Sequence, residues 1–408
     1  MKKNKIIYLD YVATTPVDKK VLKKIIPYFS VKFGNPSSVH RLGREAMQDI
    51  DSAREKVAKF LNCNSSEVIF TSGATESNNL AIKGVVDKYY ANFGKNAPKP
   101  HIITSEFEHH SVLHTCRELE KSNLIELSIL PIDNDGIVRI NEIEKLIKKN
   151  TLLISVMYVN NEIGTIQPIK KIGELISKQN KLRTEDRMKR IYFHTDAVQA
   201  INYLNCNIED LSVDLLSFSG HKIYGPKGVG VLFIKKGTMI KRIQDGGEQE
   251  FKIRAGTYNA PSIIGLGEAI TEVQNNFDSN KQILKLRNYL VEKILKEIPG
   301  SYLNGSLEKR TPNNANFRFD NIEGEGLLLS LDMEGICAST GSACSSGSLE
   351  PSHVLLSLGL KHEQAHGSLR LTLGKHTTKD EIDFTIKKIK EIVERLRKIS
   401  GDVLKEFN

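Results

Sequence analysis

The sequence contains no run of apolar residues close to the roughly 18 that a transmembrane helix requires. After the basic start at residues 1–5, the apolar stretch is broken at Asp10, which is too short for the core of a secretory signal peptide. Internal repeats and low-complexity tracts are also absent. With 408 residues, 39% hydrophobic and 26% charged, the composition is that of an ordinary soluble protein of two or three domains. We therefore expect a cytoplasmic globular protein that does not insert into a membrane.

Cysteine and aromatic residues are scarce. The five cysteines, an odd number without close spacing, predict neither a disulfide framework nor a zinc site. The net charge of +9 is compatible with nucleic-acid binding. However, the lysines are scattered among acids, as in residues 379–405, and aromatics make up only 7%. We therefore expect reduced thiols, no metal site and no direct nucleic-acid contact, with a solvated surface that carries a docking patch for acidic partners.

Short apolar runs bounded by turn-forming residues alternate with helical patterns in the first two thirds of the chain. Such runs are typical of strands that are covered on both faces. The clearest are residues 68–71, 101–104, 152–156, 191–194 and 215–217. Between the first two runs, apolar residues at positions 82, 85, 86 and 89 have helical spacing. This succession predicts an α/β fold with a mostly parallel sheet and helices on both faces.

The last third of the chain has a different pattern. Residues 264–298 read as helical, and strand-like segments follow near 316–319 and 369–371. A final helix begins at Thr378, which forms a capping-box pattern with Glu381. We predict a large domain over residues 16–262 and a smaller α/β domain formed by residues 1–15 and 263–408. The charged residues 181–190 lack periodicity and carry no evident chemistry.

Three features stand where predicted strands end, which is the edge at which open α/β sheets bind ligands. The turn Ser-Gly-Ala-Thr at 72–75 opens a helix and suits a phosphate, although a plain turn capped by Thr75 explains it equally well. Asp196 either caps the next helix or pairs with a protonated ring nitrogen. Lys222 lies among small and apolar residues, where a lysine is usually paired or reactive. Together these features match the needs of pyridoxal phosphate.

Longer motifs surround these residues and occur in a fixed order from Ile6 to beyond Leu396. They comprise residues 8–16, 33–38, 71–78, 159–164, 194–199 and 217–228. They resemble the motifs of cysteine desulfurases, in the class V aminotransferase-like group. Gly-Ser-Ala-Cys-Ser-Ser-Gly-x-Leu-Glu-Pro-Ser at 341–352 is similar to the NifS/IscS branch of that family. The resemblance implies the fold type I of pyridoxal-phosphate enzymes, with a catalytic cysteine in the smaller domain.

The resemblance implies a role for each residue that matches a motif. Lys222 would hold the cofactor covalently, Asp196 would pair with its ring nitrogen, and Gln199 would contact its phenolic oxygen. A protonated ring nitrogen lets the ring take up electrons from the α-carbon of the substrate. His109 would stack over the ring, whereas without the family it would be taken as a histidine of a surface loop.

Further positions are implied to bind the phosphate and the substrate. The phosphate would be held by Ala74, Thr75, Ser219 and His221, and by Thr257 from the second subunit of a homodimer. Asn161, which also contacts the cofactor, and Arg370 would bind the substrate carboxylate, with paired charge-assisted hydrogen bonds from the guanidinium fork. On sequence alone, Arg370 is equally well explained as a surface residue beside a strand.

Cys344 differs from the other cysteines in its surroundings. Its neighbours from 341 to 348 are nearly all small, which is typical of an exposed loop rather than of a core. The resemblance implies that its thiolate attacks the sulfur of bound L-cysteine, so that L-alanine leaves and a persulfide remains. The other cysteines lie in helical or apolar contexts and are predicted to be buried and inert: Cys63, Cys116, Cys206 and Cys337.

The resemblance also implies partners. It points to sulfur transfer to a scaffold protein for iron–sulfur cluster assembly, with a transient two-iron, two-sulfur cluster shared through Cys344, and to carriers for tRNA thiolation. Two other interpretations stay open. One is a selenocysteine lyase or another pyridoxal-phosphate lyase of the same family, and the other is a binding module without catalysis.

Three positions depart from the family pattern. Glu248 and Lys252 stand where glycines are common, which leaves the turn geometry near the expected dimer contact open. Gly367 replaces a position that is usually serine. None of the three belongs to the residues expected around the cofactor.

Overall fold

The structure is a computed structural model that describes residues 6–183, 190–277, 280–341 and 350–406, with side chains as far as Ile399. Cys344 and most of the segment 181–190 therefore lie outside the described residues. The strands are β1 (Ile7–Tyr8), β2 (Val68–Thr71), β3 (His101–Ser105), β4 (Glu126–Leu130), β5 (Thr151–Ser155), β6 (Tyr192–Asp196), β7 (Leu215–Ser219), β8 (Gly230–Ile234), β9 (Ser301–Leu303), β10 (Asn314–Phe319), β11 (Ile336–Cys337) and β12 (Ser368–Thr372). The helices are α1 (Lys19–Ile25), α2 (Arg41–Leu61), α3 (Ala74–Phe93), α4 (His110–Lys121), α5 (Ile140–Leu146), α6 (Ile169–Leu182), α7 (Ile208–Leu211), α8 (Ala260–Asn275), α9 (Asn280–Glu297), α10 (Gly324–Met333), α11 (His353–Ser357), α12 (His362–His366) and α13 (Lys379–Glu406).

A seven-stranded sheet forms the centre of the described structure, in the order β2-β8-β7-β6-β5-β3-β4. The strands from β7 to β4 in this order pair in parallel, whereas β8 is antiparallel to both of its neighbours. The predicted α/β fold with a mostly parallel sheet is confirmed. The sequence pattern did not single out β4, because this edge strand is only half-buried and has no continuous apolar run.

Alternate residues of the central strands enter two separate hydrophobic cores. Phe70, Ile154 and Phe193 pack in one core with α2, α6 and α8. Their chain neighbours Ile69 and Leu153 point to the opposite face, where the second core contains α3 and α4. Because side chains alternate between the faces of a strand, a sheet covered on both sides needs apolar residues at every position. The continuous apolar runs in the sequence have this cause.

A third core belongs to the C-terminal part of the chain and includes Ile7 and Leu9 from its start. It covers an antiparallel sheet in the order β12-β10-β9, while β1 pairs in parallel with β11. Helix α8 packs in the first core as far as Val273, so the packing changes later than residue 262. Val354 and Leu355 of α11 also pack in that first core. The predicted division into one domain of residues 16–262 and another of residues 1–15 and 263–408 therefore remains a prediction.

The capping box predicted at the start of the last helix is confirmed by its hydrogen bonds. Thr378 N donates to Glu381 Oε2 at 3.0 Å and Glu381 N donates to Thr378 Oγ1 at 3.3 Å, which is the predicted capping box before α13. The region 264–298, predicted to be helical, contains the two helices α8 and α9. Within the described ranges, no helix is long and apolar enough to cross a membrane.

Candidate active site

A cavity of about 520 Å³ opens at the carboxyl edge of the central sheet. Loops that follow β2, β3, β5, β6 and β7 converge there, because parallel strands end at the same edge. The predicted site residues that line it are Ala74, Thr75, His109, Asn161, Asp196, Gln199, Ser219, His221, Lys222 and Arg370. Thr257 is exposed and does not line this cavity. Cys344 lies outside the described residues.

One end of the cavity is formed by the N-terminus of α3. The chain leaves β2 through Gly73, and the first N–H groups of a helix have no partner within the helix. A Cβ atom on Gly230 would lie 2.5 Å from the carbonyl carbon of Gly73, so only glycine lets β8 start beside this turn. Ser219, at the end of β7, brings its hydroxyl to the same place. The donors are of the kind that hold a phosphate.

His221 borders the same end. Its Nδ1 lies 3.1 Å from Thr14 Oγ1, and burial lowers the pKa of the ring to about 4. The nearby cations Lys222 and Lys227 lower it further. His221 is therefore neutral at pH 7 and offers an N–H group rather than a positive charge.

Asp196 ends β6 and is 4% exposed. Its Oδ2 accepts from Asn78 Nδ2 at 2.7 Å and its Oδ1 accepts from Val198 N at 3.0 Å. Neither of these donors carries a charge. A buried carboxylate on a cavity wall with neutral donors is suited to a cationic partner such as the protonated ring nitrogen of pyridoxal phosphate.

Lys222 lies in the short turn after β7 and is half-buried. Its Nζ donates to Val12 O at 2.7 Å and to Ala13 O at 2.6 Å. Gln199 Nε2 donates to the same Val12 oxygen at 3.3 Å. The segment around Val12 thus forms one wall of the cavity. An amine, a buried carboxylate and a helix N-terminus around one space fit pyridoxal phosphate, which Lys222, Asp196 and the start of α3 could hold.

His109 is the N-cap residue of α4 and lines the cavity. Its Nδ1 accepts from Ser111 N at 3.1 Å and lies 2.8 Å from Ser111 Oγ. Burial lowers the pKa of the ring, and Asp196 opposes this effect. The structure therefore corrects the interpretation of His109 as a histidine of a surface loop, because its ring is turned into the cavity rather than into solvent.

Arg370 lies on β12 and is 2% exposed, so its interpretation as a surface residue is wrong. Nη2 donates to Asp10 Oδ1 at 3.0 Å, and Nη1 donates to Gly341 O at 3.1 Å and to Asn161 O at 3.3 Å. Within the described part of the chain, its buried Nε has no hydrogen-bond partner. A buried guanidinium with one unsatisfied donor at a cavity wall suits a carboxylate ligand.

Glu162 joins the cavity to the antiparallel sheet, a role that sequence reasoning missed. Its carboxylate accepts from the hydroxyl of Ser352, and its carbonyl oxygen accepts from Asn314 Nδ2 and Asn316 Nδ2, each at 3.1 Å. Burial raises the pKa of the Glu162 carboxyl to about 6. The residue was visible in the motif at 159–164, but nothing in the sequence indicated that Ser352 would be its partner.

Among the described cysteines, Cys116 and Cys206 are buried as predicted, whereas Cys63 and Cys337 are half-buried. Burial raises the pKa of Cys63 and of Cys206 to about 12, and it raises the pKa of Cys116 and of Cys337 as well. All four thiols therefore stay protonated at neutral pH, and a thiol is a poor nucleophile.

Two further histidines, His110 and His353, border the cavity, although the sequence assigned them no role. The rings of His110 and His114 stack with 4.4 Å between their centroids, and His353 lies 4.9 Å from His110. His353 Nε2 is 3.0 Å from Glu108 O, which ties the start of α11 to the loop before α4. His110 and His353 both line the cavity.

Comparison with known proteins gives consistent results. A sequence model of the family described as Aminotransferase class-V matches residues 7–384. The chain is 48% identical to Cysteine desulfurase IscS of Dictyoglomus turgidum, over 97% of this chain and 96% of that protein. It is 49% identical to Cysteine desulfurase IscS of Methanosarcina thermophila, over 99% of this chain and 96% of that protein.

Solved structures agree with this assignment. A NifS-like protein superposes with a TM-score of 0.87 at 38% identity, covering 96% of this chain and 100% of that chain. A NifS-like protein from Rickettsia africae superposes with a TM-score of 0.83 at 30% identity, with the same coverage of 96% and 100%. Both the sequence and the fold lead to one conclusion. The chain belongs to the aminotransferase class-V family.

Proposed function

We propose that this protein is a cysteine desulfurase that depends on pyridoxal phosphate. It converts L-cysteine to L-alanine and retains the sulfur as a persulfide on Cys344. The observation that carries the proposal is that Lys222, Asp196 and the buried Arg370 line one cavity. The 48% and 49% identity to two proteins named Cysteine desulfurase IscS, over nearly their whole length, supports the choice of substrate.

The proposed reaction balances without an added oxidant or reductant. The Cβ–Sγ bond of the substrate breaks, and a sulfur–sulfur bond forms with Cys344. The β-carbon gains one hydrogen, which corresponds to the hydrogen lost from one of the two thiols. The persulfide keeps the other, and alanine leaves.

Pyridoxal phosphate, when bound, draws electrons from the α-carbon of the substrate amino acid. Lys222 would carry it covalently, Asp196 would hold its ring nitrogen and Gln199 its phenolic oxygen. His109 would cover one face of the ring and exclude water from it. Ala74, Thr75, Ser219 and His221 would bind its phosphate at the start of α3, where the helix dipole favours an anion.

Asn161 and Arg370 would bind the carboxylate of L-cysteine. The Arg370 guanidinium is buried, is held by Asp10 at Nη2 and has an unsatisfied Nε within the described residues. A substrate carboxylate would complete its hydrogen bonds and supply a second negative charge. An unsatisfied buried donor is costly, so a hydrogen bond that satisfies it contributes more binding free energy than a contact at the surface. This difference favours a fixed orientation of the substrate.

We infer that the protein acts as a homodimer in which Thr257 reaches the phosphate of the partner subunit. Thr257 is exposed and lies apart from the cavity of its own chain. Phe29, Val31, Phe33 and Val39 are 66–87% exposed within eleven consecutive residues. An apolar surface of this kind usually marks an interface with another chain.

The persulfide needs an acceptor, and we propose a scaffold protein for iron–sulfur cluster assembly, with a transient two-iron, two-sulfur cluster held through Cys344. Carriers for tRNA thiolation are a further class of acceptor in this proposal. The name IscS of the relatives supports it, as does the net charge of +9, which favours acidic partners. We place the reaction in the cytoplasm, because a free catalytic thiol needs a reducing compartment.

The test is to incubate the protein with L-cysteine and a thiol reductant and to measure alanine and sulfide. Equal amounts are expected, and Cys344→Ala should abolish both products. Lys222→Ala should lose the visible absorbance of the bound cofactor. If Cys344→Ala kept full activity on cysteine, the persulfide mechanism would be wrong. Activity of that variant on selenocysteine alone would indicate a selenocysteine lyase instead, and a wild-type protein without cofactor would indicate a binding module.

A further inference from the structure

Asn78 connects two cavity residues that come from different parts of the chain. Its side chain is fully buried on the second turn of α3. Its Nδ2 lies 2.7 Å from Asp196 Oδ2 and 2.8 Å from Ser111 Oγ. A carboxylate only accepts hydrogen bonds, so the amide must turn its nitrogen toward Asp196. The second hydrogen of that nitrogen is then directed to Ser111.

The direction of the hydrogen bond from Asn78 to Ser111 also fixes the direction of the hydrogen bond between Ser111 and His109. Because Ser111 Oγ accepts from Asn78, its own hydrogen is directed to its other neighbour, His109 Nδ1, at 2.8 Å. The backbone N–H of Ser111 donates to the same Nδ1 at 3.1 Å. Two donors at one ring nitrogen require a lone pair there. The proton of a neutral His109 ring is therefore on Nε2.

We propose that Asn78 and Ser111 are positioning residues that hold His109 as a neutral imidazole with its proton on Nε2. The proposal rests on the proposed function, in which His109 covers the cofactor ring and Asp196 holds the protonated ring nitrogen. A neutral imidazole avoids placing a second positive charge against that ring. In this state neither nitrogen of His109 has a free lone pair, so proton removal from the substrate falls to another group of the cavity.

The surroundings of His109 include several charged or titratable groups. Asp196 of β6 favours protonation of His109, whereas Lys222, His353 and His114 oppose it when they are charged. The ring of His110 lies 6.3 Å from that of His109. Burial, the largest influence, also lowers the pKa of His109. The two Ser111 donors act in the same direction, because both need the Nδ1 lone pair that protonation would consume.

The test uses the full-length protein as purified, with histidine labelled in its ring nitrogens, and nitrogen-15 NMR across a pH titration. The signal of His109 is identified by its loss in His109→Gln. In the wild type we expect an unprotonated Nδ1 and a protonated Nε2. Ser111→Ala should raise the midpoint of His109 titration by about half a pH unit or more, since one hydrogen bond to the neutral ring is lost. Ser111→Thr keeps the hydroxyl and should restore the wild-type midpoint.

Thr115→Val is the matched control, because it removes a hydroxyl one turn further along α4 that does not contact His109. Its His109 midpoint should equal that of the wild type. Asn78→Ala should shift the midpoint in the same direction as Ser111→Ala, and the double variant should shift it no further, because both residues act through one chain of hydrogen bonds.

A protonated Nδ1 in the wild type, an unchanged midpoint in Ser111→Ala, or shifts that add in the double variant would each overturn the proposal. Circular dichroism of each variant checks that it is folded. Alanine production from cysteine is measured on the same samples. A wild type with the expected His109 signals but no alanine product would count against the proposed function and not against the hydrogen-bond chain.

Discussion

Arg370 Nη2 donates to Asp10 Oδ1 at 3.0 Å, across 360 positions of the chain. Asp10 follows β1, which pairs with β11, and Arg370 stands in the middle of β12. The contact holds one edge of a buried guanidinium, whose Nε has no hydrogen-bond partner among the described residues. Because a buried charge without a partner is costly, Asp10 both stabilises the fold and orients the proposed ligand of the substrate carboxylate.

Replacing Asp10 tests this pairing. Asp10→Asn should lower the free energy of unfolding by roughly 2 kcal/mol, since a charge-assisted hydrogen bond to a buried group is weakened. It should also raise KM for L-cysteine more than it lowers kcat, because Arg370 loses its orientation. Urea denaturation and steady-state kinetics measure the two effects. Asp245→Asn, whose side chain is 91% exposed in its pair with Arg242, is the control and should change neither.

Glu108 is buried, and burial raises the pKa of its carboxyl to about 8. The folded pKa thus exceeds that of an unfolded glutamate, about 4.3, so the folded state binds this proton more tightly. Stability should therefore fall as the pH rises between these values. Compared with Glu108→Gln, which cannot ionise, the wild type should lose roughly 1.4 kcal/mol per pH unit within this window.

Denaturation at pH 5.5, 6.5 and 7.5 would measure this difference for Glu108. Glu118→Gln, at an exposed position of α4, serves as the control and should run parallel to the wild type. A constant difference between the wild type and Glu108→Gln over the three pH values would show that the Glu108 carboxyl is already ionised in the folded protein.

Gly230 marks the closest approach of β8 to the turn at Gly73. Gly230→Ala places a methyl group 2.5 Å from the Gly73 carbonyl carbon, so the start of α3 must shift. We expect a loss of roughly 1–3 kcal/mol in stability and weaker retention of the cofactor, measured by visible absorbance after dialysis. Gly326→Ala in α10 meets the flexible Glu323 side chain at 3.3 Å and Leu396 Cδ2 at an ordinary contact distance of 4.0 Å, and it should keep both the stability and the cofactor. Full cofactor retention in Gly230→Ala would contradict the role of this turn.

Lys252 has a φ of 67°, the left-handed conformation that glycine adopts without cost. The backbone at Lys252 therefore has a conformation that favours glycine, the residue type common at this position in the family pattern. Lys252→Gly should stabilise the protein by roughly 0.5–1 kcal/mol relative to Lys252→Ala, and thermal unfolding measures the difference. The exposed ion pair of Lys252 with Glu248 is lost in both variants, so it does not affect the comparison. A more stable alanine variant would refute the argument.

Much of the fold could be predicted because its signals are local. The runs at 68–71 and 152–156 are apolar except at Thr71 and Ser155, and both faces of the strands they form are covered. Thr378 and Glu381 predict the start of α13, because the hydrogen bonds between them span only three residues and depend on no distant element. The edge strand β4 lacked such a signal because only its last residue is fully buried.

The candidate site likewise contains some residues that the sequence could predict and some contacts that only the tertiary structure shows. Lys222, Asp196 and the turn at 72–75 are recognisable from the sequence, because each follows an apolar run and has a residue type suited to one cofactor. The burial of Arg370, its contact with Asp10 and the joining of Asn78 to Ser111 required the tertiary structure. Side-chain periodicity reports which face of an element is buried, but it carries no information about which distant element packs against that face.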